Sequence, residues 1–192
     1  MKHLFSLLLL YVTFSGFSQN PEEPKKIISF APGGFVNKIR LKTEFPLNQK
    51  FSTGTYINVY YLFFQGVEVE PILRMYLSDK TPAGFYAQLK LSGGYFSSNM
   101  EFSHLMADSS RSTVKQRHSF PGIGVGFALG YQIVSRGGRC IDFFWGYKYM
   151  PFRGPDYVYV QGVIHRTEND FDWYLMGPGG CFNSHFGIGF SF

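Results

Sequence analysis

The last eight residues, His185-Phe186-Gly187-Ile188-Gly189-Phe190-Ser191-Phe192, alternate bulky apolar side chains with small or polar ones and stop on Phe. On an extended strand successive side chains point to opposite faces. Phe186, Ile188, Phe190 and Phe192 therefore share one face, and His185, Gly187, Gly189 and Ser191 the other. Period-two alternation argues against a helix, whose apolar stripe recurs about every 3.6 residues. A soluble sheet buries such an apolar face in a core. A barrel in a membrane turns it to lipid and keeps small and polar residues inside.

The same pattern recurs along the chain, most clearly over 120–133. There Pro121, Ile123, Val125, Phe127, Leu129, Tyr131 and Ile133 oppose Gly122, Gly124, Gly126, Ala128, Gly130 and Gln132. The segment is longer than the usual soluble strand and suits the roughly 9–11 residues that cross a membrane. Its glycines do not form a dinucleotide loop, because the third fingerprint position after Gly122 and Gly124 is Phe127. Five more segments alternate likewise: 37–45, 53–61, 67–76, 85–95 and 141–149. Their outward faces are apolar, as with Ile39 and Leu41, Ile57 and Val59, Val67 and Val69, Leu89 and Leu91, Phe143 and Trp145. Their inward faces carry Lys38, Arg40, Lys42, Glu44, Glu68, Glu70, Arg74, Lys90, Asp142 and Lys148.

These segments and the terminal strand make seven, whereas single-chain bacterial membrane barrels have an even number, with short periplasmic turns and longer extracellular loops. Counting back from a C-terminus in the periplasm puts 135–139, 78–83 and 46–50 inside, and 151–183, 97–118 and 62–66 outside. An upward strand must then precede 37–45, and 27–31, turning at Pro32-Gly33-Gly34, is the candidate. The expectation is an all-β, eight-stranded antiparallel up-and-down transmembrane barrel over 19–192. Two further strands at 157–164 and 171–176 would make ten; the second is short and carries Asp172, which favours a hairpin beyond the membrane. A soluble sandwich would have to hide the aromatic load on both faces.

The N-terminus reads as a secretory signal over 1–18: Lys2 and His3, an apolar stretch from Leu4 to Thr13, then small residues Gly16 and Ser18 before cleavage near Ser18/Gln19. An N-terminal membrane anchor is the competing reading, but the apolar run is too short to span as a helix. Aromatics at 19% and 22 glycines exceed ordinary usage, and charge at 16% is low, a balance that suits lipid outside and close packing inside. The formal net charge of +5 comes from dispersed basic residues rather than a patch, which excludes nucleic acid as the expected partner. Cys140 begins the penultimate strand and Cys181 precedes the last, at opposite barrel ends, so both are expected as free thiols.

With these segments placed, the chain resembles the small outer-membrane β-barrel proteins of the OmpA and OmpX kind. It is particularly similar to an uncharacterised barrel family of Bacteroidota-type bacteria. The resemblance covers roughly 26–192. It rests on the double strand from Ile27 to Arg40, the positions of Glu44 and Arg74, Gly84-Phe85-Tyr86, the strand from Gly122 to Tyr131 and the terminal Phe192. It implies an outer-membrane location and a fold, and no defined activity. The strand bearing Phe186, Ile188, Phe190 and Phe192 is similar to the C-terminal signal read by the barrel assembly machinery. Implied partners are that machinery, outer-membrane lipid and lipopolysaccharide, for a monomer of unknown surface ligand.

Six inward cations facing four anions could line an ion path, but an eight-stranded barrel is just wide enough for its own side chains. Unpaired buried charge is costly, so a network of Glu68, Glu70, Arg40, Arg74 and Lys90 that closes the lumen is expected, with a narrow pore as the alternative. An outer-leaflet lipid-modifying enzyme is the other alternative. A lipid A deacylase resembles the chain in size and uses a His-x-Ser pair with an acid. Here the nearest match is His165-Arg166-Thr167 with Glu168, in which Thr stands for Ser. No Gly-x-Ser-x-Gly elbow is present, and His104, His118, His165 and His185 lack metal-ligand spacing, so no catalytic residue, cofactor or metal is expected. Function is expected at the external segments. Residues 97–118 carry Arg111, Lys115 and Arg117, and 151–183 carry Tyr157, Tyr159, Trp173 and Tyr174, types favoured in recognition that could equally pack within a hairpin.

Overall fold

The computed structural model describes residues 26–31, 37–78, 82–105, 111–160, 163–167, 170–175 and 177–192. The expected leader and cleavage point, and the expected turn at Pro32-Gly33-Gly34, lie outside them. The strands are β1 (Ile27–Phe30), β2 (Lys38–Pro46), β3 (Phe51–Tyr60), β4 (Gln65–Tyr76), β5 (Gly84–Leu105), β6 (Arg111–Val134), β7 (Arg139–Tyr149), β8 (Tyr157–Val160), β9 (Val163–Thr167) and β10 (Phe182–Ser191). A short helix, α1 (Asp170–Leu175), precedes β10.

The sheet runs β4-β3-β2-β1-β10-β7-β6-β5, and β5 pairs back onto β4, which closes it into a barrel of eight strands. Every rung is antiparallel. The closing seam joins the two ends of the chain, with Ile28 opposite Phe190 and Phe30 opposite Ile188. The backbones of Lys26 and Phe192 then exchange two hydrogen bonds of 2.9 Å. β9 and β8 lie outside this ring. They attach to β5 through Phe102 opposite Thr167 and Ser103 opposite Arg166, on the edge that β4 occupies lower down.

Alternation decides which way each side chain faces. Along β5, Leu89 is 63% and Leu91 61% exposed, whereas Lys90 between them is 3% exposed. Ile57 and Val59, Val67 and Val69, Ile123, Val125, Phe127 and Leu129 likewise stand on the outer surface. A chain that puts aliphatic residues outside and Lys, Arg and Glu inside is arranged for a surrounding of lipid: this is a membrane-spanning β-barrel. The short turns match their chemistry. Asn48 Oδ1 accepts from the N–H groups of Lys50 (2.8 Å) and Phe51 (2.9 Å), and Gly138 takes a φ of 77° in the 135–139 turn. Cys140 and Cys181 are free, at opposite ends of β7: Cys140 faces Gly189, while the carbonyl of Cys181 accepts from Lys148 N–H at 2.9 Å.

Two expectations need correction. The external connection expected over 97–118 is mostly paired strand, with nine rungs from Ser97–Ser119 out to Leu105–Arg111. At about 3.4 Å per residue this hairpin continues roughly 30 Å along the strand beyond the wall. Its alternation is faint because both of its faces leave the lipid, so neither needs to be apolar. The segment 171–176, considered as a strand, falls largely within α1, and 157–164 forms the external hairpin of β8 and β9.

Candidate functional site

The lumen is filled in layers. Lowest, towards the short turns, β2, β4 and β7 bring together Lys42, Glu44, Arg74 and Asp142, all fully buried. Arg74 reaches Glu44 at 3.0 Å and Asp142 at 2.8 Å; Lys42 reaches the same two carboxylates at 2.8 and 2.6 Å. Two cations and two carboxylates balance. The remaining lone pairs are met as well. Ser52 and Tyr76 each donate to Glu44 Oε1 at 2.6 Å, and Tyr86 donates to Asp142 Oδ1 at 2.6 Å. Gln132 Oε1 accepts from Lys42 (2.7 Å) and Arg74 (2.8 Å).

Above lies an aromatic layer, in which the rings of Phe144 and His185 stack at 5.1 Å and Tyr56 meets His185 edge-on at 5.4 Å. Higher again, Glu70 pairs with Arg40 (3.3 Å) and Lys90 (3.2 Å), and Glu68 with Lys148 (2.9 Å). Asn58 bridges this group, accepting from Arg40 at 2.6 Å and donating to Glu68 at 3.0 Å. Lys38, half-buried at the upper rim, donates to the Tyr60 hydroxyl at 3.2 Å. The ten charged residues expected on the inner face all point into the lumen, but they do not form one network. Arg74, expected to work with Glu68 and Glu70, sits in the lower cluster with Glu44 and Asp142. The two clusters part because the Tyr56–Phe144–His185 layer stands between them.

The mouth opposite the short turns is closed by the chain itself. After β7 the described residues of 150–181 cover the opening: β8 and β9 add to β5, and α1 follows. Trp173 on α1 is fully buried, with ring centres of Phe64 and Phe96 at 5.3 Å, Phe120 at 5.5 Å and Phe152 at 5.7 Å. Its indole N–H donates to the Met150 carbonyl at 2.8 Å. Gly179 permits the close approach, since a Cβ there would lie 2.0 Å from Trp173 Nε1.

Trp173, a candidate contact that could equally pack within a hairpin, is the centre of the cap. Its isolated aromatic signal could not distinguish the two roles, because a large ring serves both. Tyr157 (54% exposed) and Tyr159 (67%) do face outward, their rings 5.6 Å apart, and half-exposed Tyr174 accepts from Phe152 N–H at 3.2 Å. Of the basic residues, Lys115 pairs with Glu101, and Arg117 donates to Ser97 Oγ (2.8 Å) and Gln65 Oε1 (2.7 Å); the Arg111 side chain lies outside the described residues. Of the His165-Arg166-Thr167-Glu168 string, His165 is buried, while the side chains of Arg166 and Thr167 and all of Glu168 lie outside the described residues. Phe186, Ile188, Phe190 and Phe192 line the outer face of the last strand, 46–69% exposed. A groove of about 590 Å³ also marks the outer wall, lined mainly by Leu73, Leu89, Leu91, Val125, Phe127 and Tyr147; it adjoins Pro71, where the β4–β5 rungs lapse.

No family model matches the chain, and no curated protein matches it. Among solved structures it is similar to the N-terminal β-barrel domain of Pseudomonas aeruginosa OprF, at 11% identity over 88% of this chain and 96% of that chain, with a TM-score of 0.47.

Proposed function

We propose that this chain is an exported outer-membrane barrel protein of Gram-negative type, of the OmpA and OmpX kind and akin to the Bacteroidota-type barrels. In this reading the lumen is structural, the protein is a non-enzymatic monomer, and any surface interaction runs through its extracellular extension. One observation carries the reading: two paired charge clusters and the Trp173 cap occupy the interior, while the β5–β6 hairpin and β8–β9 stand free beyond the wall. The wall needs only to be apolar at bilayer depth, and its partners are outer-membrane lipid and lipopolysaccharide. The terminal strand, with Phe192, is the element the assembly machinery recognises.

The test is reconstitution of the mature chain in liposomes, with conductance and a lipid A mass assay run on the same preparation. Neither steady conductance nor a deacylated lipid is expected. Steady current would replace this reading with a narrow pore, and a deacylated product lost in Thr167→Ala would replace it with a lipid-modifying enzyme. Removing 157–176 should leave an inserted barrel and abolish the surface interaction. Retained interaction would move function to the wall or lumen.

A further inference from the structure

The sheet register brings together two histidines that lie 61 positions apart in the sequence. β9 pairs with β5 at Phe102–Thr167 and Ser103–Arg166, and the same register carried one position outward faces His104 with His165. Their ring centres are 5.7 Å apart at an interplanar angle of 57°. Two imidazoles on one tetrahedral ion, each nitrogen about 2.0–2.1 Å from the metal, place their ring centres roughly 5–5.5 Å apart, so a small rotation of either ring suffices.

A second feature makes this more than packing. His165 is only 4% exposed, and its Nδ1 has no hydrogen-bond partner among the described residues. A buried polar nitrogen is ordinarily satisfied, and an orphan calls for an explanation such as an ion. The surroundings are consistent with one. His165 sits opposite Val158, one edge of the apolar cap, whereas His104 is half-buried and open to solvent that would supply the remaining ligands. Among the described residues no third His, Cys, Asp or Glu joins the pair.

We propose that His104 and His165 bind one divalent transition-metal ion, of the class that imidazole favours: zinc, copper or nickel. Its place gives it a consequence. β9 is held to β5 by only two rungs, and the ion would add a third tie at the next position, fastening the segment that carries the Trp173 cap to the extracellular hairpin.

The experiment titrates Zn²⁺, and separately Cu²⁺, into the untagged mature chain refolded in detergent, followed by calorimetry. One ion per chain is expected. His104→Gln and His165→Gln should each weaken binding tenfold or more, while His118→Gln, on the same hairpin but packed on Phe102, should leave it unchanged. Heat-modifiable migration identifies the variants that still fold. Independently of any variant, Zn²⁺ should slow proteolysis within 157–169 of the unmodified protein without changing cleavage at the 46–50 turn. An unmodified protein that binds no ion, binding indifferent to both substitutions, or proteolysis unaffected by Zn²⁺ would each overturn the site.

Discussion

Arg74 touches both carboxylates of the lower cluster, Glu44 at 3.0 Å and Asp142 at 2.8 Å, and also donates to Tyr56, Gln88 and Gln132. Truncating it leaves two carboxylates to share the single cation of Lys42, out of reach of water. Removing one partner of a buried pair costs far more than the pair contributes, because the charge left behind is uncompensated. Arg74→Ala is expected to lower stability by about 3–5 kcal/mol. Urea unfolding in detergent checks it, and a loss below about 1 kcal/mol would mean that water enters the lumen and solvates the orphans. Gly179 offers a steric counterpart. A methyl group there would collide with Trp173 Nε1, so Gly179→Ala should expel the indole from the cap. In a Trp145→Phe background, where Trp173 is the remaining tryptophan, its emission should shift to the red. Unchanged emission would show that the 177–180 turn can yield instead.

At the scale of elements, the strap over the mouth and the charge clusters below it are two separate seals. Trp173→Ala opens the first and leaves the second. The expected outcome is a folded barrel with accelerated proteolysis in 157–169 and still no steady conductance in planar bilayers. A current that appears only in this variant would make Trp173 the sole seal. The element-level surprises have separate causes. Residues 97–118 pair as strands because β5 and β6 satisfy each other's backbone groups, a requirement that leaves no mark on side chains once both faces meet water. Only Met100 and Phe102, buried under the cap, hint at a preferred face. α1 is six residues long, too short for helical periodicity to declare itself, and Trp173 and the cluster it packs into hold it in place.

Taken whole, the molecule satisfies its backbone by closure, which removes every edge from the membrane-spanning wall. A closed barrel resists detergent below its unfolding temperature, so the mature protein should fractionate with the outer membrane and run faster on gels unheated than boiled. Recovery as a soluble periplasmic protein would refute the location. Phe192 belongs to the same scale, because its backbone pairing with Lys26 lies at the seam that makes the sheet a ring. Deleting Phe192 should reduce the heat-modifiable fraction in cells, and undiminished assembly would remove the role assigned to the terminal strand.

What the sequence determined by itself was the wall. Lipid outside and side chains inside impose an alternation on every crossing strand, and turn parity then counted them, even to the short β1. The inward direction of Lys42, Glu44, Arg74 and Asp142 followed from the same period, since a strand side chain has only two faces to choose from. Which of those charges meet was another matter. Partners come from strands far apart in the chain, as with Lys42 and Asp142, and depend on the stagger with which the ring closes. The same holds for the cap and for the His104–His165 pair. Trp173 as plug, Gly179 as its clearance and two histidines with neighbouring rings exist only once β9 has been laid against β5, a long-range pairing that local periodicity does not encode.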